Sequence, residues 1–289
     1  MRASKTIAVL FLTFIPLAIL FPGSAYGSDL SLSLRLYGGL NYISGGDLNE
    51  GLKGVNDYYA KYFWYYGLTK SGGDYNPVHL GMNFGGDFII QITPTIGIGF
   101  GAGYLQGTSE SSITFTPVSA AEKTTAKVSA VPLRLGLYFT LPAGAIVNVN
   151  FHVGLGYYLA KVSYDFRSSA PGSWEQSSVR ADGNGFGFHG GLGFEFRLAP
   201  AISFFLEGLG RYASIGGFAG SGEKTDSYGS HGLDNGKLYY YKTHSGTLGT
   251  FSAIFVHGSE PSGSSISNVR EAKIDFSGFS AFAGIIIHF

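Results

Sequence analysis

The sequence predicts an all-β protein: an eight-stranded antiparallel transmembrane β-barrel, up-and-down in topology, with long extracellular loops. Three observations carry this. Apolar residues alternate with small or polar ones along most of the chain, the period-two mark of strands with two unlike faces. Charged residues make up only 13% of the 289, against about 25% in typical soluble domains, so there is little material for a charged skin. The connections between the alternating segments are short and long in turn, an asymmetry that transmembrane barrels show.

The alternation defines the strands one by one. Leu30, Leu32, Leu34, Leu36, Leu40 and Tyr42 fall on one side of the first, opposite Ser31, Ser33, Arg35, Tyr37 and Asn41. In the second, Leu80, Met82, Phe84, Phe88, Ile90 and Ile92 oppose Gly81, Asn83, Gly85, Asp87 and Gln91. Ile96 to Tyr104 alternates apolar residues with glycine, and Val131 to Phe139 separates Val and Leu from Arg134, Gly136 and Tyr138. Val147 to Leu159, Phe186 to Leu198 and the weaker Ile202 to Tyr212 follow, and a terminal strand runs from about Ala272 to Phe289. Tight turns with Pro or Gly join them at Thr93-Pro94, 141–145 and 199–201, as such turns require. Long connections are expected at 43–77, 107–125, 166–184 and 216–270. The last includes a hairpin turning near Ser245-Gly246, placed outside the membrane; were it to span lipid, the strand count would be ten.

The same alternation describes a soluble barrel with its apolar face inside. The other face decides between them. It carries Gly, Ser, Asn, His and a few balanced charges instead of the Lys and Glu that water would demand. An eight-stranded barrel has an interior just wide enough for side chains to fill, so the small and ionic face is expected inside and the apolar face against lipid. Lys127 and Lys161 lie in outward register, but at the loop ends of their strands, beyond the roughly 9–11 residues that cross a bilayer.

Residues 1–27 read as a secretory signal peptide: Arg2 and Lys5, an apolar run from Ile7 to Phe21, then Ala25-Tyr26-Gly27, the order of basic start, apolar stretch and small-residue cleavage site. Residues 28–289 form the barrel domain. With no cysteine in the chain, disulfides and lipoprotein acylation are excluded. The final strand presents Phe279, Ala281, Ala283, Ile285, Ile287 and Phe289 on one face, and it is expected to pair with the first strand, so that no open edge meets lipid. Its terminal Phe after alternating apolar residues resembles the last strand of Gram-negative outer-membrane proteins. The stretch 268–289, with the exported start and the eight-strand layout, resembles the small OmpW/OmpX-like outer-membrane β-barrel superfamily. That resemblance implies the Gram-negative outer membrane as location, its lipid as surroundings, and the barrel assembly machinery as a partner during biogenesis.

Two groups of candidate site residues stand out. Inside the barrel the pattern places Arg35, Asp87, Arg134, Glu195, Arg197, Glu207 and Arg211. Buried charges must be paired, so these are expected to form a salt-bridge network that shuts the lumen, or else a polar constriction. Among them the inward glycines either make room for bulky Arg and Tyr or leave a narrow cavity. In the first long loop, Leu48, Leu52, Val55, Tyr59, Tyr62 and Tyr66 recur at helical spacing. Asp47 with Glu50 resembles a capping box, while Gly51 and Gly54 weaken the helix. The helix is expected to act as a lid over the mouth, as a foot on the leaflet, or as packing for the loop. Inward His152 and His189 have no Cys or carboxylate near them at ligand spacing, so no metal and no cofactor is expected. The GxG patterns join no strand to a helix, which excludes a nucleotide site, and zero net charge gives no reason to expect nucleic acid.

Three functions remain open: a non-enzymatic wall component whose loops bind or shield, a narrow pore for small or hydrophobic solutes as the resemblance permits, and a lipid-modifying enzyme. The first is favoured, because no Ser-His-acid set is evident at a lipid-facing strand end. The ligand is left unnamed.

Overall fold

The computed structural model describes residues 31–289; the expected signal peptide lies outside them. Eight strands pair in a closed antiparallel ring: β1 (Ser31–Tyr42), β3 (Leu80–Gln91), β4 (Ile96–Thr116), β5 (Ala120–Pro142), β6 (Val147–Ala170), β7 (Ser173–Ala199), β8 (Ile202–Tyr212) and β15 (Gly278–His288). The ring closes where β15 pairs with β1 on one side, Leu36 opposite Ile285, and with β8 on the other, Phe282 opposite Glu207. Short turns lie at 92–95, 143–146 and 200–201. Phe279, Ile285 and Phe289 point outward and are exposed, and Ile287 shares their face.

Two of the expected long loops are strands. Residues 107–116 and 120–125 continue β4 and β5, and 166–170 and 173–184 continue β6 and β7. These arms rise beyond the ring. There β7 leaves β8 and pairs with β10 (Ala219–Asp226), which continues through β11 (His231–Ser245) to β12 (Gly249–His257). The β11–β12 hairpin turns at 246–248 and stays out of the ring, so the ten-strand alternative is not what forms. Smaller pieces brace the extension: β2 (Thr69–Gly72) on β4, β13 (Ile266–Glu271) on β11, and β9 (Ser214–Ile215) with β14 (Ile274–Asp275).

The polarity of the two faces inverts between ring and extension, while the alternation never breaks. On β5 the outward residues are Lys123, Thr125, Lys127 and Ser129, then Val131, Leu133, Leu135, Leu137, Phe139 and Leu141. On β6 they are Val147 to Leu159 in the ring, then Lys161, Ser163, Asp165 and Arg167. β7 changes between Asn184 and Phe186, and β4 between Tyr104 and Gln106. The change lies nearly level around the sheet, since Leu105 pairs with Ala130, Ala130 with Ala160 and Ala160 with Gly183. Below it the apolar face is outside, Leu135 and Phe186 for instance standing 58% and 75% exposed. Above it the apolar face is inside, where Leu105, Val128, Val162, Tyr164 and Val179 form a conventional buried core. Tyr42, Tyr104, Tyr157 and Tyr212 stand outward at the upper edge of the apolar band, where amphipathic rings sit in membrane barrels.

The helix of the first connection, α1 (Asp47–Tyr65), fills the extension. Leu48 and Leu52 are wholly buried in the core with Ile254 of β12. Gly51 and Gly54 do more than weaken it: a Cβ on Gly54 would run into the Ser252 backbone and one on Gly51 into Ile254, so the glycines allow helix and strand to touch. The expected capping box does not form. Gly46 is the N-cap and no side chain caps the helix. Asp47 instead accepts from Arg270 at 2.7 Å and from the Lys273 amide at 2.8 Å, and Glu50 accepts from the Tyr240 hydroxyl. Tertiary partners took both carboxylates away from the local cap.

Candidate functional site

Inside the ring the inward faces of β1, β3, β5, β6, β7 and β8 bring charges from distant parts of the chain together. Arg35 Nη2 donates to Glu207 Oε2 at 2.6 Å, and His152 Nε2 lies 2.9 Å from Glu207 Oε1. Arg134 Nη2 donates to Asp87 Oδ1 at 2.8 Å and also to the Tyr37 hydroxyl. Arg35 lies over the Phe205 ring at 4.2 Å and the Tyr138 ring at 5.6 Å, Arg134 over Tyr37 at 5.1 Å, and Tyr138 stacks on His152 at 4.8 Å. All of these side chains are buried or nearly so. The inward glycines take the first of their two expected roles. Gly99 faces the Tyr138 ring and Gly191 the His152 ring with no space for a Cβ.

Three members of the predicted set sit elsewhere. Glu195 lies lower, towards the short turns, where it accepts from Asn150 at 3.0 Å and meets His288 Nε2 at 3.2 Å. Ser203 Oγ stands 3.0 Å from that same nitrogen. Serine and carboxylate thus share one ring nitrogen, whereas a nucleophile–base–acid relay needs the acid on the opposite one. Beside them is a hollow of about 30 Å³ lined in part by Gln91, Asn150 and Glu195, space for about one water. Arg211 lies at the upper edge in a neutral cradle, donating to the Phe276 carbonyl at 2.6 Å, Ser280 at 2.8 Å, the Tyr42 carbonyl at 3.0 Å and Asn41 at 3.3 Å. Arg197 does not join at all; it is exposed beside the 143–146 turn, its amide donating to the Ile146 carbonyl. It pairs with the inward Ser203, just before a register shift between Arg197 and Ala199, at the open end of the ring next to the short turns, where its side chain reaches out of the lumen. His189 stands 5.5 Å from His152, ring to ring. Among the described residues no group of three or more His, Cys, Asp or Glu is arranged to hold a metal ion.

The second site lies at the far end of the extension and was half visible in the sequence. Of the helical set, Leu48, Leu52 and Val55 are buried, Tyr59 is half-buried, and Tyr62 and Tyr66 are exposed. Tyr59 donates to Glu175 at 2.9 Å and packs on Phe166 at 4.9 Å. Burial, with the Glu175 carboxylate beside it, pushes the Tyr59 hydroxyl pKa up and keeps the proton on. Phe63, outside the predicted stripe, anchors the helix end on Phe115 at 4.8 Å. Between this end of α1, the β6–β7 tip and the 226–228 turn is an open cleft of about 450 Å³, lined by aromatic rings and by Glu175 and Asp226. Trp174, Glu175, Asp226 and Tyr228 come from segments that sequence periodicity treats as loop, and no spacing rule links them to 58–66.

No family model matches the chain, and no curated protein does. Among solved structures it is similar to the outer membrane protein OprG from Pseudomonas aeruginosa, at 11% identity over 91% of this chain and 97% of that one, with a TM-score of 0.38. It is similar to the outer membrane protein AlkL in lipid bilayers at 13% identity, 93% and 95% coverage and a TM-score of 0.32. It is similar to the outer membrane protease OmpT from Escherichia coli at 9% identity, 92% and 99% coverage and a TM-score of 0.26.

Proposed function

We propose that this chain is a Gram-negative outer-membrane β-barrel that holds its own lumen shut and works, without catalysis, through the surface it raises above the membrane. The location rests on the apolar band. Its outward residues, such as Val131 to Leu141 on β5, match the roughly 9–11 strand residues that cross a bilayer, and putting so much Leu, Ile and Phe in water would invite association. Outer-membrane lipid is then the surrounding medium, and the Phe289-terminated closing strand is the segment that the barrel assembly machinery would read during biogenesis. Export would use the 1–27 segment.

The observation that carries the closed lumen is the Arg35–Glu207–His152 and Arg134–Asp87 cluster, which spans the ring with its side chains 7% exposed or less. A path for solutes would have to break these pairs, leaving buried charges uncompensated at several kcal/mol each. The core of the extension, with α1 packed in it, lies in series above. The non-enzymatic reading is supported by the shared nitrogen of His288, which gives Ser203 no oriented base.

Planar-bilayer recording tests this. The refolded protein is expected to show no discrete conductance steps. Regular steps from the unaltered protein would instead favour a narrow pore for small or hydrophobic solutes.

A further inference from the structure

The cleft beyond α1 has a chemistry of its own. Tyr62, Tyr66, Trp174 and Tyr228 offer rings, and Glu175 and Asp226 offer charge, while no Lys or Arg is among the lining residues. Asp226 is turned to accept from the Tyr228 and Ser230 amides at 2.8 and 3.0 Å. Hydrogen bonds to Ser230 hold its carboxyl below the ordinary value and so ionised. Glu175 uses one oxygen for Tyr59. The cleft's volume, about 450 Å³, is within the ~300–1,000 Å³ of small-molecule sites.

We infer that this cleft binds a small free organic cation carrying a methylated ammonium group. The inference rests on the reading above in one respect, that this end of the molecule faces the medium. Charge complementarity selects a cation: two carboxylates line the cleft and no Lys or Arg does, the nearest guanidinium, that of Arg167, lying against Trp174. The rings select which cation. Aromatic faces attract a weakly hydrated charge spread over methyl groups, whereas a primary ammonium is compact and strongly hydrated and would exchange many water contacts for few acceptors. The protein already uses this attraction next door, where Arg167 lies over the Trp174 ring at 4.7 Å. A membrane lipid headgroup is not the source. The cleft borders Ala170 and Ser173, while the outward apolar band on β6 ends at Leu159. At about 3.3 Å per residue that puts the site roughly 36 Å along the strand from the bilayer edge.

Two tryptophans simplify the test. In full-length W64F protein, folded in detergent, the remaining indole is Trp174, and its emission is followed as choline chloride is added. Saturable quenching is expected, with 3,3-dimethylbutanol, the neutral isostere, and ethanolamine each binding at least about tenfold more weakly. Glu175→Gln, which retains an acceptor for Tyr59, and Asp226→Asn are each expected to weaken choline binding about fivefold or more, and Tyr62→Ala similarly, with far-ultraviolet circular dichroism unchanged. The assignment is overturned if choline does not saturate, if the neutral isostere or a hexose binds equally well, or if both carboxylate variants bind as the parent does. Conductance is recorded on the same preparation. A conducting barrel that binds choline removes only the closed lumen, and a silent one that ignores choline removes only the cleft's ligand.

Discussion

Arg35 and Glu207 meet at 2.6 Å across the terminal strand although 172 residues separate them in the chain. Glu207 lies on β8 and Arg35 on β1, strands that pair with opposite sides of β15, so the contact exists only once the terminal strand has closed the ring. His152 holds the second oxygen of the same carboxylate. Removing Glu207 therefore strands two partners, one of them a guanidinium that cannot deprotonate. Glu207→Ala is expected to lower unfolding stability by about 3–5 kcal/mol, and the double replacement Arg35→Met/Glu207→Leu by clearly less than the sum of the single changes. Urea titration of the folded protein in micelles checks both.

Much of this cluster was legible because strand periodicity assigns faces without knowing partners. Arg35, Asp87, Arg134 and Glu207 all sit at inward positions of strong alternating runs. Arg197 was misplaced because the face rule carries no information on height: it keeps the inward parity, opposite Ser203, but lies at the end of the ring beside the turn, where no partner strand covers it. The extension was misread for a related reason. From Ser129 upward on β5, and from Lys161 on β6, alternation continues with its polarity reversed, and reversed polarity on a short stretch looks like a loop. What makes those residues strand is the core they enclose with α1, and that core is assembled from segments as far apart as Leu48 and Ile254. The cleft was invisible for the same cause, since Tyr62, Trp174 and Tyr228 become neighbours only through that assembly.

Glu122 lies on the extension of β5, fully buried, and neither of its carboxylate oxygens has a hydrogen-bond partner among the described residues. Burial raises its pKa to about 8, the nearby Asp57 adding to this and Lys70 opposing it. A carboxyl raised when folded favours the packed form fully below the unfolded value of about 4.5, and that advantage is lost as pH rises towards 8. The loss across this window is on the order of 4 kcal/mol. Hydrogen exchange in α1 and upper β5 is expected to speed up from pH 5 to 8 beyond its intrinsic pH dependence. Glu122→Gln is expected to abolish the excess, and an equal excess in that variant would mean that another group titrates.

Gly54 sets two effects against each other. Alanine there gains about 1 kcal/mol of helix propensity, but its Cβ would enter the Ser252 backbone on β12, and backbone cannot rotate away. Overpacking of this kind costs about 1–3 kcal/mol, so the clash wins. Gly54→Ala is expected to loosen α1 and expose the 66–79 connection to protease, while the exposed Lys53→Ala change should not. Equal resistance of both variants would mean that helix and strand do not touch as described.

The orientation of the whole ring can be tested at one cross-strand pair. Leu135 on β5 lies opposite Leu155 on β6, both outward and about half exposed, in the middle of the band from Val131 to Leu141. If lipid surrounds the band, Leu135→Arg places a charge near the bilayer midplane and costs about 2–4 kcal/mol. Thr125→Arg, on the same face of the same strand but above the boundary, meets water beside Lys123 and Lys127 and should cost less than about 0.5 kcal/mol. Unfolding in phosphatidylcholine vesicles measures the difference, and refolding without detergent tests the same orientation independently. A chain that stayed monomeric in plain buffer would leave Leu135 and Leu155 facing water unaided, and would show Arg at either position to be equally cheap.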